Sequence, residues 1–257
     1  MEGTRLKNLF YSHQGKLIHK WDHYFDVYEK HFSRYIGKKV NILEIGISHG
    51  GSMQLWKKYF GDQAHIYAID VEPQCKKLEE PNTTVFIGSQ SDPDFLQQVM
   101  KQLPDLDIII DDGGHTMQQQ KVSFETLYLK LKDGGVYIIE DTHTSYWQEF
   151  NGGLRNRNSF IEYSKKLIDS LYAAHIVNKS KLRVDEITQH IQCISFYDSM
   201  VVFEKQKRPQ PFHIRKGEET LQAGAGYSAK PSLIYSIRSK FFNKNFQTFI
   251  ENDRGKL

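Results

Sequence analysis

Five short apolar runs, "VNILEIG" (40–46), "HIYAID" (65–70), "TTVFIG" (83–88), "LDIIIDD" (106–112) and "GVYIIED" (135–141), recur along the chain with amphipathic segments between them. That alternation constrains the fold more than any other feature. Runs rich in Ile, Val and Tyr separated by stretches of helical period predict an α/β domain with a mostly parallel sheet. Leu55, Trp56, Tyr59 and Phe60 share one helical face, as do Phe95, Leu96, Val99, Met100 and Leu103. "LKDGG" is expected to close the helix before the fifth strand, with Gly134 or Gly135 as its left-handed stop.

The flanks follow the same rules. Trp21, Tyr24, Phe25, Tyr28, Phe32 and Tyr35 predict an aromatic-faced helix that covers the core ahead of the first strand. Phe160, Tyr163, Leu167 and Leu171 continue the helical period, and "IQCISF" and "MVVFEK" flank "YDS" as an antiparallel hairpin. Beyond Lys205, prolines and glycines without clear period predict a linker or wrapping segment, with a final helix over residues 232–251. The expected division is an N-terminal helical cap at 1–39, a main domain at 40–205, and a linker and tail at 206–257. The tail is a candidate for homo-oligomer contacts.

Composition narrows the partners. Lys and Arg number 34 against 31 Asp and Glu, and a net charge of +3 gives no electrostatic case for nucleic acid or a membrane surface. Cys75 and Cys193 are too few for a disulfide framework and lack zinc-ligand spacing, which favours a reducing compartment. No apolar run approaches a transmembrane segment and the N-terminus is polar, so a soluble, cytoplasmic protein is expected.

The strand ends carry the chemistry. "LEIGISHGGS" sets Glu44 and Gly46 at a strand end and Ser52 at a helix start, where glycine lets the backbone approach a ligand and free amides meet a negative group. Ser48 takes the second glycine position of a dinucleotide fingerprint, which disfavours a nicotinamide cofactor. Asp70, closing the second strand, can accept hydrogen bonds from both hydroxyls of a ribose. Ser89, Gln90 and Asp92 either read an adenine edge or form a polar turn that caps the next helix.

As neighbouring strands, "LDIIIDD" and "GVYIIED" would bring Asp111, Asp112, Glu140 and Asp141 into one crevice. Four crowded carboxylates raise one another's pKa unless a cation neutralises them. Oxygen ligation without cysteine or paired histidines points to Mg²⁺, with Mn²⁺ and Ca²⁺ as chemical relatives. Glu140 and Asp141 are adjacent, so they can share an ion only if the strand has already broken there. His115, after two glycines, is placed to collect a proton from a hydroxyl beside the ion.

Together, "DDGGH", "IIEDTHTSYW", "LEIGISHGGS" and "KWDHYFDVYEKHF" resemble a branch of the class I S-adenosylmethionine-dependent methyltransferases, over roughly residues 13–205. That branch holds the metal-dependent macrolide-sugar and rhamnosyl O-methyltransferases and the proteins called cephalosporin hydroxylase. The resemblance implies a Rossmann-like, doubly wound, seven-stranded sheet, mostly parallel, with the hairpin at its end. It implies S-adenosylmethionine as cofactor and Mg²⁺ or Mn²⁺ on Asp112, Glu140 and Asp141, with His115 as base. Asp70 would take the ribose, while Glu44, Gly46 and Ser52 would shape the methionine pocket. Asp111 would touch the cofactor or only orient its turn, and Tyr146 and Trp147 would wall a sugar-containing acceptor. Against the family pattern, Gly113 and Gly114 and the tail after 205 are departures. A metal-dependent hydroxylase and a non-catalytic glycan-binding scaffold are the alternatives.

Overall fold

In the computed structural model, which describes residues 3–176, 182 and 185–218, seven strands form one sheet. They are β1 (Val40–Ile45), β2 (Ala64–Asp70), β3 (Thr83–Ile87), β4 (Leu106–Asp111), β5 (Leu131–Ile139), β6 (Ile191–Tyr197) and β7 (Met200–Lys205). Their order is β3-β2-β1-β4-β5-β7-β6. The first five pair in parallel, and β7 runs antiparallel to both β5 and β6. The sheet is therefore the expected doubly wound, Rossmann-like one. Its strand order reverses between β1 and β4, the place where a crevice opens beyond the strand ends.

The isoleucine run of β4 shows why these strands read as continuously apolar. Ile108 and Ile110 join one core with Ile42, Ile66, Val136 and Ile138, while Ile109 joins the opposite core with Leu43, Ile45, Tyr137 and Ile139. Side chains alternate across the pleat, and a strand covered on both faces needs apolar residues at every position. The first core is closed by α1 (Arg5–Tyr11), α2 (Tyr24–Phe32) and α3 (Gly51–Phe60). The second is closed by α4 (Pro93–Gln102), α5 (Met117–Leu127) and α6 (Phe160–Lys166).

Two local expectations are corrected. Helix α5 ends at Leu127, and "LKDGG" is the irregular start of β5 and not a helix stop. Leu131 is buried and pairs with Leu106, so the chain joins the sheet before the turn residues. Gly134 then takes its φ of +83° where the register against β4 shifts. The aromatic helix is also shorter than its stripe, since Trp21 is exposed ahead of α2 and Tyr35 lies in a short 3-10 turn after it.

Residues 1–173 and 184–208 form one compact unit, so the segment before β1 shares the core of the sheet. The helix expected over 232–251 lies outside the described residues, as does the tail from 219. No helix among the described residues is long and apolar enough to cross a membrane.

Candidate active site

The C-terminal ends of β1, β2, β4 and β5 face a cavity of about 960 Å³. Its first wall is the turn after β1. Gly46 has a φ of +81°, and a Cβ there would lie 2.1 Å from the carbonyl oxygen of Asp112, so only glycine lets the two turns meet. The amides of Ile47 and Ser48 donate to Asp70 Oδ2 at 2.9 and 3.1 Å, and that of Glu72 donates to Oδ1 at 2.9 Å. Asp70 thus shapes the loop while lining the cavity, as does Ser52 in the first turn of α3. Glu44 lies beneath, fully buried, accepting from Trp56 Nε1 at 3.1 Å. Burial pushes its carboxyl up to about 7, against the pull of Lys20, Trp56 and Ser52.

The residues after β3 separate. Ser89 and Gln90 line the cavity, but the Gln90 amide is engaged at both ends. Its Nε2 donates to Asp111 Oδ1 at 2.8 Å, and its Oε1 accepts from the Gly114 amide at 2.8 Å. A Cβ on Gly113 would sit 1.8 Å from Gln90 Oε1, so the glycine pair of "DDGGH" is the seat of this clamp. Asp92 caps α4 by accepting from the Asp94 and Phe95 amides at 3.0 and 3.2 Å and does not line the cavity. Of its two readings, the cap is the one the geometry displays. Asp111 is buried under the turn, accepts also from Ser123 Oγ, and is pushed up to about 6 by burial. It lies beneath the turn and does not line the cavity.

The other acids converge. Strand β5 stops at Ile139 and Asp141 has a φ of +51°, so the chain has left extended geometry where Glu140 and Asp141 had to face one site. His115, itself at φ +58°, sets Nε2 3.4 Å from Asp141 Oδ2 and 3.8 Å from Asp112 Oδ1. One ligand atom from each of Asp112, His115 and Asp141 lies within 4.8 Å of the others. The two carboxylates of this group are the oxygen donors that suit a divalent ion of the Mg²⁺ kind, and the His115 ring stands beside them.

Glu140 differs. Both its oxygens accept from Lys20 Nζ, at 2.9 and 2.8 Å, and Oε1 also accepts from Tyr28 OH at 2.5 Å. Burial and then the charge of Asp112 push Glu140 up to about 8, while Lys20 and Tyr28 oppose that rise. Lys20 Nζ also reaches Asp112 Oδ2 at 2.5 Å. Burial alone would pull this ammonium down, but Asp112, Glu140 and Glu44 hold it above its usual value. Tyr24 OH donates to Asp141 Oδ1 at 2.6 Å.

Lys20, Tyr24 and Tyr28 are the site residues that sequence reasoning missed. The available signal was that Tyr24 and Tyr28 stand one helical turn apart, so their hydroxyls share a direction. Lys20 carried none. Tyr146 and Trp147 are exposed in the 3-10 turn region after β5 and do not line the cavity. The Trp147 ring lies 4.6 Å from that of His143.

The comparisons with known proteins agree with this architecture. Residues 43–142 match a family model described as a methyltransferase domain, and this part of the chain is a class I S-adenosylmethionine-dependent methyltransferase domain. More particularly, the chain is similar to demethylmacrocin O-methyltransferase of Streptomyces fradiae, at 32% identity over 202 residues, 74% of this chain and 51% of that protein. It is also similar to the 8-demethyl-8-alpha-L-rhamnosyl tetracenomycin-C 2'-O-methyltransferase of Streptomyces olivaceus, at 29% identity over 191 residues, 71% of this chain and 50% of that protein. Among solved structures, the MycE methyltransferase from the mycinamycin biosynthetic pathway, in complex with Mg and SAH, matches with a TM-score of 0.70 and 26% identity. That match covers 79% of this chain and 54% of MycE. The chain spans about half the length of the curated relatives it matches.

Proposed function

We propose that the protein is an S-adenosylmethionine- and Mg²⁺-dependent O-methyltransferase that methylates a hydroxyl of a sugar-containing acceptor. The observation that carries this reading is a single cavity lined on one side by the Gly46 turn and Asp70, and on the other by Asp112, His115 and Asp141. A methyl donor and an acceptor hydroxyl held against those walls would meet inside it. The relatives named above, which act on glycosylated natural products, support the acceptor class.

In this reading Asp70 receives the ribose hydroxyls, while Gly46, Ser52 and Ser89 border the remainder of the cofactor. Asp112, Glu140 and Asp141 would hold the ion, and when bound it would supply Lewis acidity to the acceptor hydroxyl. His115 Nε2 accepts the hydroxyl proton, and the acceptor oxygen attacks the sulfonium methyl in line. The sulfur–methyl bond breaks, S-adenosylhomocysteine leaves, and His115 returns its proton to solvent. The carboxylates of Asp141 and Asp112, 3.4 and 3.8 Å away, stabilise the imidazolium in between. Thr144 Oγ1 donates to the His115 carbonyl at 2.9 Å and steadies the turn that carries the ring. Tyr146 and Trp147, outside the cavity, offer apolar walls to the acceptor. Most of the rate enhancement then comes from positioning.

The test is labelled-methyl transfer to deoxysugar glycosides together with melting curves. S-adenosylhomocysteine is expected to raise the melting temperature, EDTA to stop transfer, and Mg²⁺ to restore it. Full transfer in EDTA would remove the ion from the reading. His115→Ala is expected to lose about a hundredfold or more in turnover with cofactor affinity unchanged. Parental turnover in that variant would remove the base.

A further inference from the structure

The Lys20 ammonium touches both oxygens of Glu140 at nearly equal distances, 2.8 and 2.9 Å. Nζ therefore lies close to the bisector of that carboxylate, where a chelated cation sits. Mg²⁺ binds oxygen at about 2.0–2.1 Å. An ion on that side of Glu140 would come closer to Nζ than two cations can stand. Lys20 lines the cavity and Glu140 does not, so the ammonium stands between Glu140 and anything entering from the cavity.

We propose that Lys20 is a resident counter-cation of the carboxylate cluster, and that a divalent ion can be ligated by Glu140 only as the Lys20 ammonium withdraws. The inference rests on the ion assigned under the proposed function and adds a competitor for it within the chain. Asp112, Glu140 and Asp141 repel one another when ionised and bare. Lys20, bridging two of them while only 4% of its side chain is exposed, removes part of that repulsion before any ion arrives. An ion then gains the carboxylates but loses an existing buried pair, and its net affinity is lower than the donor set alone would provide.

The local structure suits a moving side chain on a fixed backbone. Lysine is a compact charge on a flexible four-carbon stem. The preceding segment is tied down: the Lys16 amide donates to Gln54 Oε1 at 2.9 Å, and a His13 ring nitrogen lies 2.8 Å from the Lys16 carbonyl oxygen. A Cβ on Gly51 would fall 2.3 Å from that same carbonyl, so the segment lies directly on the start of α3. Lys20 already lines the cavity, so rotation about its flexible stem gives the ammonium a direction in which to withdraw.

The experiment measures Mn²⁺ binding by electron paramagnetic resonance for the parent and Lys20→Met, and acetylation of Lys20 in the parent by mass spectrometry with and without saturating Mg²⁺. Lys20→Met is expected to bind Mn²⁺ about tenfold tighter or more, and Lys20 of the parent to be acetylated about tenfold faster with Mg²⁺. The acetylation measurement needs no variant and stands even if Lys20→Met does not fold. Lys20 that stays equally protected at saturating Mg²⁺, a Lys20→Met protein that binds Mn²⁺ no tighter, or the absence of saturable Mn²⁺ binding would each overturn the proposal. S-adenosylhomocysteine stabilisation, measured alongside, separates the two readings. If it persists while Lys20 stays protected, only the counter-cation fails; if it is absent while Lys20 becomes reactive, only the methyltransferase assignment fails.

Discussion

Strands β4 and β5 both run out of the core into a pair of acids, and the two pairs divide alike. The first acid of each is buried, Asp111 and Glu140 both at 1% exposure, while the second faces the cavity, with 22% of the Asp112 side chain and 23% of the Asp141 side chain exposed. Their buried members differ in what holds them. Asp111 is met by the neutral donors Gln90 and Ser123, whereas Glu140 is met by an ammonium and a phenol. A carboxylate satisfied by neutral donors fastens a turn, and one satisfied by a cation remains part of a charge network that another cation can enter.

The largest expected effect separates the exposed acid from its buried neighbour. Asp112→Asn should lower methyl transfer by on the order of a hundredfold or more with the melting curve nearly unchanged, and equal losses in Asp111→Asn would erase the distinction. The ranking reverses for stability. Asp111→Ala strips Gln90 and Ser123 of their buried acceptor and should cost about 2–4 kcal/mol in urea unfolding. Asp112→Ala leaves Lys20 paired with Glu140 and should cost less.

Glu44, the third buried acid, extends the comparison to pH. Its carboxyl is raised from an ordinary 4.5 to about 7, so the folded state holds the proton more tightly than the unfolded chain. The stabilisation from that proton is complete below pH 4.5 and is lost as pH rises through 7. Glu44→Gln should flatten the melting temperature against pH across this window, removing at most about 3 kcal/mol of pH-dependent stability. An unchanged profile would mean that Glu44 stays ionised in the fold. The smallest effect is expected for Tyr28→Phe, which deletes one hydroxyl from Glu140 and should cost about 1 kcal/mol in thermal unfolding.

How much was legible follows from the range of each interaction. Strand positions were readable, and so was the need for a break by Glu140, because they depend on pleat alternation and on turn residues a few positions away. The Gln90 clamp was not, although Gln90 itself stood out, because its partners Asp111 and Gly114 come from a different strand end. Lys20 is 92 residues from Asp112 and 120 from Glu140, and a single lysine before an aromatic helix carries no period that would flag it. "LKDGG" misled for the opposite reason. Its local turn chemistry was real, but pairing of Leu131 with Leu106 drew it into the sheet.

By itself, the sequence determined that the chain alternates strands with helices, that β4 is buried on both faces, and that acids gather where the apolar runs stop. Those outcomes follow from hydrophobic period and backbone geometry, which act over a few residues. Only the tertiary structure decided which acid is buried against partners and which faces the cavity. That choice depends on the charge and reach of side chains brought in from distant segments, and burial makes each unpaired carboxylate costly enough for those partners to determine its role.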